Sequence, residues 1–343
     1  MSLRPFGRPR SSTPPTVAGD RAIRPPANTV TLVASLTILF GFVCGYGAYW
    51  YGASITGPFI FGDECEYLLY GHDLFAGADL SKHTQYGILY PIFVAIFFHF
   101  GDVTSVYGEL RAFNILVFIS SVVPAFLFAR ALFPYKPVYW FLFSAFVVTT
   151  SFGAYVDVIW AEPLYFALFQ YLILSLFLFY QRPRLVTGCI AGVLLGLLFN
   201  AKPGAGIIVQ LAAFISLIAL WGTETKRPAR STLLGPMLAM VVASGVLTVP
   251  CIVRNLSLGV GVIGYQGVTQ DLKTLIAEVG GFEVATKTFL RSFYQLSYLF
   301  VATWGLLGVL VVVPFWRWKA CPATLRGLTV FLVTSVIGLI ALA

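Results

Sequence analysis

Three places in the sequence group side chains able to do chemistry. The string Gly62-Asp63-Glu64-Cys65-Glu66-Tyr67 sets three carboxylates close together beside apolar chain. Such a carboxylate, crowded by a second acid, can serve as a general base or hold a divalent cation, because low-dielectric surroundings and like charge raise its affinity for protons and metals. The same string also reads as a capping box, with Asp63 as N-cap and Glu66 three residues on. In Ser151 through Leu164, Asp157 and Glu162 flank Trp160, and Pro163 suits the first turn of a following helix. Glu162 there favours the helix dipole, which is one reading; an acid at bilayer depth that needs a partner is the other. The third group is cationic: Lys202 in Asn200-Ala201-Lys202-Pro203-Gly204, and Arg254 in Pro250-Cys251-Ile252-Val253-Arg254-Asn255. Long cations at helix ends snorkel to lipid headgroups, and the same two could hold a phosphate near the membrane surface.

These residues must be positioned by apolar elements. The chain has 343 residues, of which 58% are hydrophobic and 10% charged, with a mean hydropathy of +0.86. A soluble domain needs more polar cover, so the expected class is an all-α polytopic membrane protein. The net charge of +8 does not indicate nucleic acid, because the basic residues sit in short loops between apolar runs. Residues 1–28, rich in Arg, Pro and Ser, read as a disordered basic tail, and 29–343 as one transmembrane domain. Spanning runs are expected near 29–51, 105–132, 137–154, 162–181, 185–201, 204–221, 232–252, 294–315 and 327–343, about nine helices.

With the tail inside, Arg130 and Lys136, Arg182 and Arg184, Lys226, Arg227 and Arg230, and Arg317, Lys319 and Arg326 all fall on the cytoplasmic side. Asp20 and Glu224 are the only acids there, so chemistry should face out. Two longer segments, 52–104 and 254–293, are then outer, and loops of that length usually carry function. Within the first, Tyr90 to Phe100 is too short to cross, and Leu68, Leu69, His72 and Phe75 recur at helical spacing, which predicts surface helices. Asn255-Leu256-Ser257 is a glycosylation sequon abutting a helix end and is discounted. The five cysteines lack paired metal-ligand spacing and read as packing residues, while His72, His83 and His99 read as surface or interfacial.

The order of short motifs resembles the GT-C superfamily of integral-membrane glycosyltransferases, in particular its protein O-mannosyltransferase and aminoarabinose-transferase-like branch. The matching pieces are Asp63-Glu64, Tyr86-Gly87-Ile88-Leu89-Tyr90-Pro91, Gly101-Asp102 leading to Arg111, Ala161-Glu162-Pro163-Leu164, Lys202-Pro203-Gly204, and Pro250 through Arg254-Asn255. They cover about residues 30 to 290. The resemblance implies transfer of a sugar, with inversion, from a polyprenyl-phosphate donor to a lipid, glycan or protein acceptor. Asp63 and Glu64, with Asp157 or Glu162, would serve the acceptor; Lys202 and Arg254 would hold the donor phosphate; Asp63 could hold Mg, Mn or Ca. Where the aminoarabinose branch has Lys-Pro-Pro, this chain has Leu89-Tyr90-Pro91, so that lysine is missing. Relatives often continue into further helices or a soluble outer domain, whereas this sequence stops in an apolar run, which fits a fragment or a short form. The implied setting is a bacterial plasma membrane, with the N-terminus cytoplasmic and the active site outside. The rival classes are a transporter or flippase of lipid-linked substrates, without covalent chemistry, and a structural assembly subunit.

Overall fold

The computed structural model describes residues 25–53, 62–83, 86–101, 103–149, 161–223, 227–259 and 323–342. Among them every regular element is helical: α1 (Ala27–Ala53), α2 (Gly62–Ala76), α3 (Leu89–Phe98), α4 (Val103–Ser120), α5 (Val122–Leu132), α6 (Pro137–Val148), α7 (Glu162–Gln181), α8 (Leu185–Ala201), α9 (Pro203–Thr223), α10 (Arg227–Ser257) and α11 (Ala323–Leu342), with a 3-10 turn at Leu80–Lys82. Long apolar helices are the form in which a chain can enter lipid with its backbone hydrogen bonds closed. Five stretches are long and apolar enough to cross a membrane: Ala27–Trp50, Ser105–Leu132, Glu162–Gln181, Pro203–Trp221 and Thr232–Ser257.

The expected count of nine is therefore corrected to five among the described residues. Within the run at 137–154 the described residues form the 12-residue helix α6, about 18 Å long at 1.5 Å per residue, against a hydrocarbon core of roughly 30 Å. The run at 185–201 forms the 17-residue α8, and 294–315 lies outside the described residues. The run at 105–132 is interrupted at Ser121 for a local reason. Pro124 has no N–H to give the carbonyl of Ser120, and that carbonyl instead accepts from the Tyr171 hydroxyl at 3.2 Å.

The core is built on α7, α8 and their neighbours, with Leu172, Leu176, Leu195, Leu198 and Phe331 fully buried. α8 packs on α10 along a seam of glycines four residues apart. A Cβ on Gly188 would lie 2.2 Å from the Pro236 carbonyl oxygen, and one on Gly192 would lie 2.3 Å from that of Met240. On Gly196 it would lie 2.6 Å from Leu247 Cβ. Small residues at this spacing let two backbones approach, which is how helices gain packing energy where lipid offers no hydrophobic drive. Across the seam Asn200 donates to the Leu247 carbonyl at 2.8 Å, and beside it Gln210 of α9 donates to Thr248 and Ser244 of α10, at 2.8 and 3.2 Å.

The chain reverses at each basic connection. Arg130 ends α5, Lys136 precedes α6, and Arg182 and Arg184 join α7 to α8. The other end of α7 and α8 carries Glu162 and Lys202, beside the acid-bearing α2. Among the described residues these two connections carry only cations, whereas the other end carries acids together with Lys202.

Candidate functional site

The acid-bearing end is assembled from α2, α3 and the adjoining ends of α4, α7 and α8. Helix α2 begins at Gly62, one residue earlier than a capping box would start it, so Asp63 falls in the first turn. The Glu66 carboxylate lies 3.7 Å from Nδ1 of His83. The residues of α2 that turn inward are Glu64, Tyr67, Tyr70 and Gly71, three to four apart, while Leu69 and Phe75 stay exposed. The helical spacing of Leu68, Leu69, His72 and Phe75 thus found the helix, but of the four only Leu68 packs against the core, and the other three are exposed.

Glu64 is fully buried, and the Tyr107 hydroxyl of α4 donates to it at 2.9 Å. Tyr107 packs in one cluster with Tyr67, Tyr90, Val94, Leu110, Ala161 and Leu164, which joins α2, α3, α4 and the start of α7. Tyr90 lies within it: its ring meets Tyr67 edge to face at 5.2 Å, and its hydroxyl donates to Asn114 at 3.0 Å. Burial raises the Tyr90 phenol well above its usual range, the bond to Asn114 opposes this, and the charges of Glu162 and then Glu64 push it further up.

Glu162 opens α7 in a first turn containing Pro163, as the sequence leads one to expect, but it does more than complement a helix dipole. Its Oε1 accepts from Lys202 Nζ at 2.5 Å. Lys202 stands just past the end of α8. Gly87 holds the α3 approach against this point, since a Cβ there would lie 2.1 Å from the Asn200 carbonyl oxygen. The structure thus joins Glu162 and Lys202, two of the sequence candidates, while Glu64 meets Tyr107 in the adjoining cluster. Asp157 lies outside the described residues.

Arg254, in the last turn of α10, belongs to a second cluster at the same end. Its Nη2 donates to the carbonyls of Leu80 and His83, both at 3.2 Å, and its guanidinium lies 5.8 Å from the centroid of the Tyr70 ring. Its Nη1 is buried without a hydrogen-bond partner among the described residues. Burial pushes the Tyr70 phenol up, while Arg254 pulls it down. His83 departs from the surface role read from sequence: it is 1% exposed, stacks on Tyr70 with centroids 4.6 Å apart, and its Nε2 lies 2.9 Å from Asp73. That bond holds the Asp73 carboxyl below the usual range, with burial opposing. His72 and His99 are exposed, as expected, and Asn255 is buried within α10, so the sequon is not presented. Cys44 and Cys251 fit a packing role, whereas Cys65 and Cys189 are exposed.

Chemically, the end offers a buried carboxylate held by a phenol, a second carboxylate paired with a lysine, and a guanidinium nearby on the same face of the bundle. This set can take a proton and offset an anion. Among the described residues no three His, Cys, Asp or Glu side chains converge as a metal-binding group. Sequence reasoning passed over Tyr90, Tyr107 and Asn114, because aromatic and amide residues in apolar runs look like packing; only their hydroxyl and amide partners set them apart. No protein-family model, curated protein or solved structure matches the chain.

Proposed function

We propose that this chain is a membrane glycosyltransferase of the GT-C kind, which passes a sugar from a polyprenyl-phosphate donor to a hydroxyl of a lipid, glycan or protein acceptor on the outer side of the membrane. What supports it is a buried Glu64 held by Tyr107 and a Glu162–Lys202 pair, both adjoining the cluster of Tyr67, Tyr90, Tyr107, Ala161 and Leu164 at one end of an apolar bundle. The acceptor hydroxyl attacks the anomeric carbon and its proton passes to a carboxylate of the Asp63-Glu64 pair. The bond from that carbon to the phosphate oxygen breaks with inversion, and polyprenyl phosphate leaves. Lys202 offsets the charge that develops on the departing phosphate, and Glu162 holds the lysine in place until donor binds. A donor dissolved in the membrane accounts for an apolar scaffold carrying charged groups at one end.

A second reading, movement of a lipid-linked substrate without bond cleavage, draws on the polar contacts of Gln210 with Ser244 and Thr248 inside the bundle. One assay separates the two. The full chain in lipid nanodiscs is given polyprenyl-phosphate sugars with a panel of acceptors, and released polyprenyl phosphate is measured. Release that is lost in Glu64→Gln supports transfer. Translocation of labelled donor by the reconstituted chain, with no release for any pair, would leave transport as the function.

A further inference from the structure

The basic end of the bundle carries a cavity of about 290 Å³, lined by Pro25, Val30, Arg130, Pro134, Tyr135 and Trp140. This is close to the lower end, roughly 300 Å³, of pockets that hold small ligands. Three elements build it. Pro25 and Val30 bring the start of α1, whose N-terminal dipole end is positive; Arg130 comes from the last turn of α5; Trp140 comes from α6. The indole is fixed by its Nε1, which donates to the Phe133 carbonyl at 2.8 Å, and the Arg130 guanidinium lies 6.0 Å from its ring centroid. Such a guanidinium keeps its in-plane donors available for an oxyanion while its face rests on the ring. Among the described residues, none of those lining it is a carboxylate.

The surroundings are those of a membrane edge. Tyr135 and Tyr139 are exposed, and the ammonium of Lys136 lies 5.4 Å from the Tyr139 ring centroid. Tyrosine and tryptophan with Lys and Arg are the residues that settle at headgroup level. Leu127 and Val123, three and seven residues before Arg130, are exposed on the same side of α5. An apolar stripe therefore leads from the cation along the helix.

We propose that this cavity binds the headgroup of an anionic phospholipid, with its phosphate on Arg130, its headgroup against Tyr135 and Trp140, and one acyl chain along Leu127 and Val123. The cation and the aromatic wall share one cavity suited to phosphate and headgroup, and the exposed Leu127 and Val123 beside it suit the chain. The site lies at the opposite end of the bundle from the carboxylates, and it does not depend on sugar transfer.

The test uses the full chain purified in detergent, with thermal unfolding followed as phosphatidylglycerol, phosphatidylcholine or inorganic phosphate is added, and with retained lipid quantified. Phosphatidylglycerol should raise the unfolding midpoint at lower concentration than phosphatidylcholine. Because charge-assisted hydrogen bonds are lost, Arg130→Gln should weaken that response about tenfold or more, while Arg184→Gln, at a basic connection outside the cavity, should respond as the wild type does. Should Arg130→Gln fold poorly, Tyr135→Ala serves instead and should also weaken retention. Equal responses to the two lipids, or an unchanged response in both cavity variants, would overturn the proposal. Stabilisation by inorganic phosphate equal to that by phosphatidylglycerol would overturn the lipid as the ligand.

Discussion

Exchanging the charges of Glu162 and Lys202 separates a structural ion pair from a phosphate-binding lysine. The pair is partly exposed, 22% for Glu162 and 36% for Lys202, with Nζ and Oε1 2.5 Å apart. Coulomb's law at that separation gives about 7 kcal/mol at an effective dielectric of about 20, and about 2 kcal/mol at about 80. Solvent access and the entropy of holding both side chains pull the net coupling toward the lower figure, about 1 to 2 kcal/mol. Glu162→Gln and Lys202→Gln should each lose stability of that order, and a double-mutant cycle should recover the coupling. In the exchanged chain, Glu162→Lys with Lys202→Glu, the pair can re-form, so most of the stability should return. Turnover should not, because a donor phosphate would now meet a carboxylate at position 202. The assays are chemical unfolding of the four chains in detergent and release of polyprenyl phosphate at matched folded amounts. Full turnover in the exchanged chain would refute the assignment of Lys202 to the donor phosphate and leave it a structural partner of Glu162.

Other expectations follow from the fold. Gly192→Ala should destabilise by about 1 to 3 kcal/mol, since its Cβ would meet the Met240 carbonyl oxygen at 2.3 Å, whereas Gly245→Ala, with nothing within 4 Å, should be neutral or slightly stabilising; thermal unfolding of both variants checks this. Asp73 has its carboxyl held below the usual range by His83, so its contribution to stability is present at neutral pH and should be lost as pH falls below about 4 through the depressed value. Asp73→Asn should flatten that acid limb of the midpoint against pH. Single cysteines at positions 80 and 270 should react with an impermeant reagent added from outside intact cells; reaction only from the cytoplasmic side would reverse the orientation read from the basic loops.

The sequence carried much of the frame and the separate pieces of the site, but not their assembly. Apolar run length placed α1, α7, α9 and α10, because a helix in lipid needs an unbroken apolar stretch. It overcounted at 137–154, where composition alone did not reveal that α6 stops at Val148. Glu162 and Lys202 each stood out as ionisable residues at a helix end, and alternation put them on one side. Their contact spans 40 residues of chain and rests on α7 packing against α8, which no local pattern encodes. His83 looked like a surface residue because its partners, Tyr70 and Asp73, are ten or more residues away across a turn. The α8 seam was not read from the sequence, although Gly188, Gly192 and Gly196 repeat at four residues within an apolar run, a spacing that marks close helix approach.

Arg254 shows why a loss of activity alone cannot assign a residue to a phosphate. Its Nη2 holds the carbonyls of Leu80 and His83, His83 in turn holds Asp73, and Asp73 lies on the helix that carries Glu64. Removing the guanidinium can therefore slow transfer by shifting α2, without any contact to donor. An ammonium cannot span two carbonyls and still present a second planar donor, so Arg254→Lys should lower activity on either account. The two accounts part in the kinetic constants. If Nη1 meets the donor phosphate in both ground and transition state, Arg254→Lys raises the donor KM by about ten- to a hundredfold and largely spares kcat. If Arg254 only positions α2, kcat falls at nearly constant donor KM, and His83→Ala, which cuts the same chain of contacts one step later, reproduces the defect. A donor titration of the wild type, Arg254→Lys and His83→Ala at equal folded amounts decides between them. A raised donor KM in Arg254→Lys with unaltered kinetics in His83→Ala assigns Arg254 to the donor; matching falls in kcat in both variants make it a positioning residue.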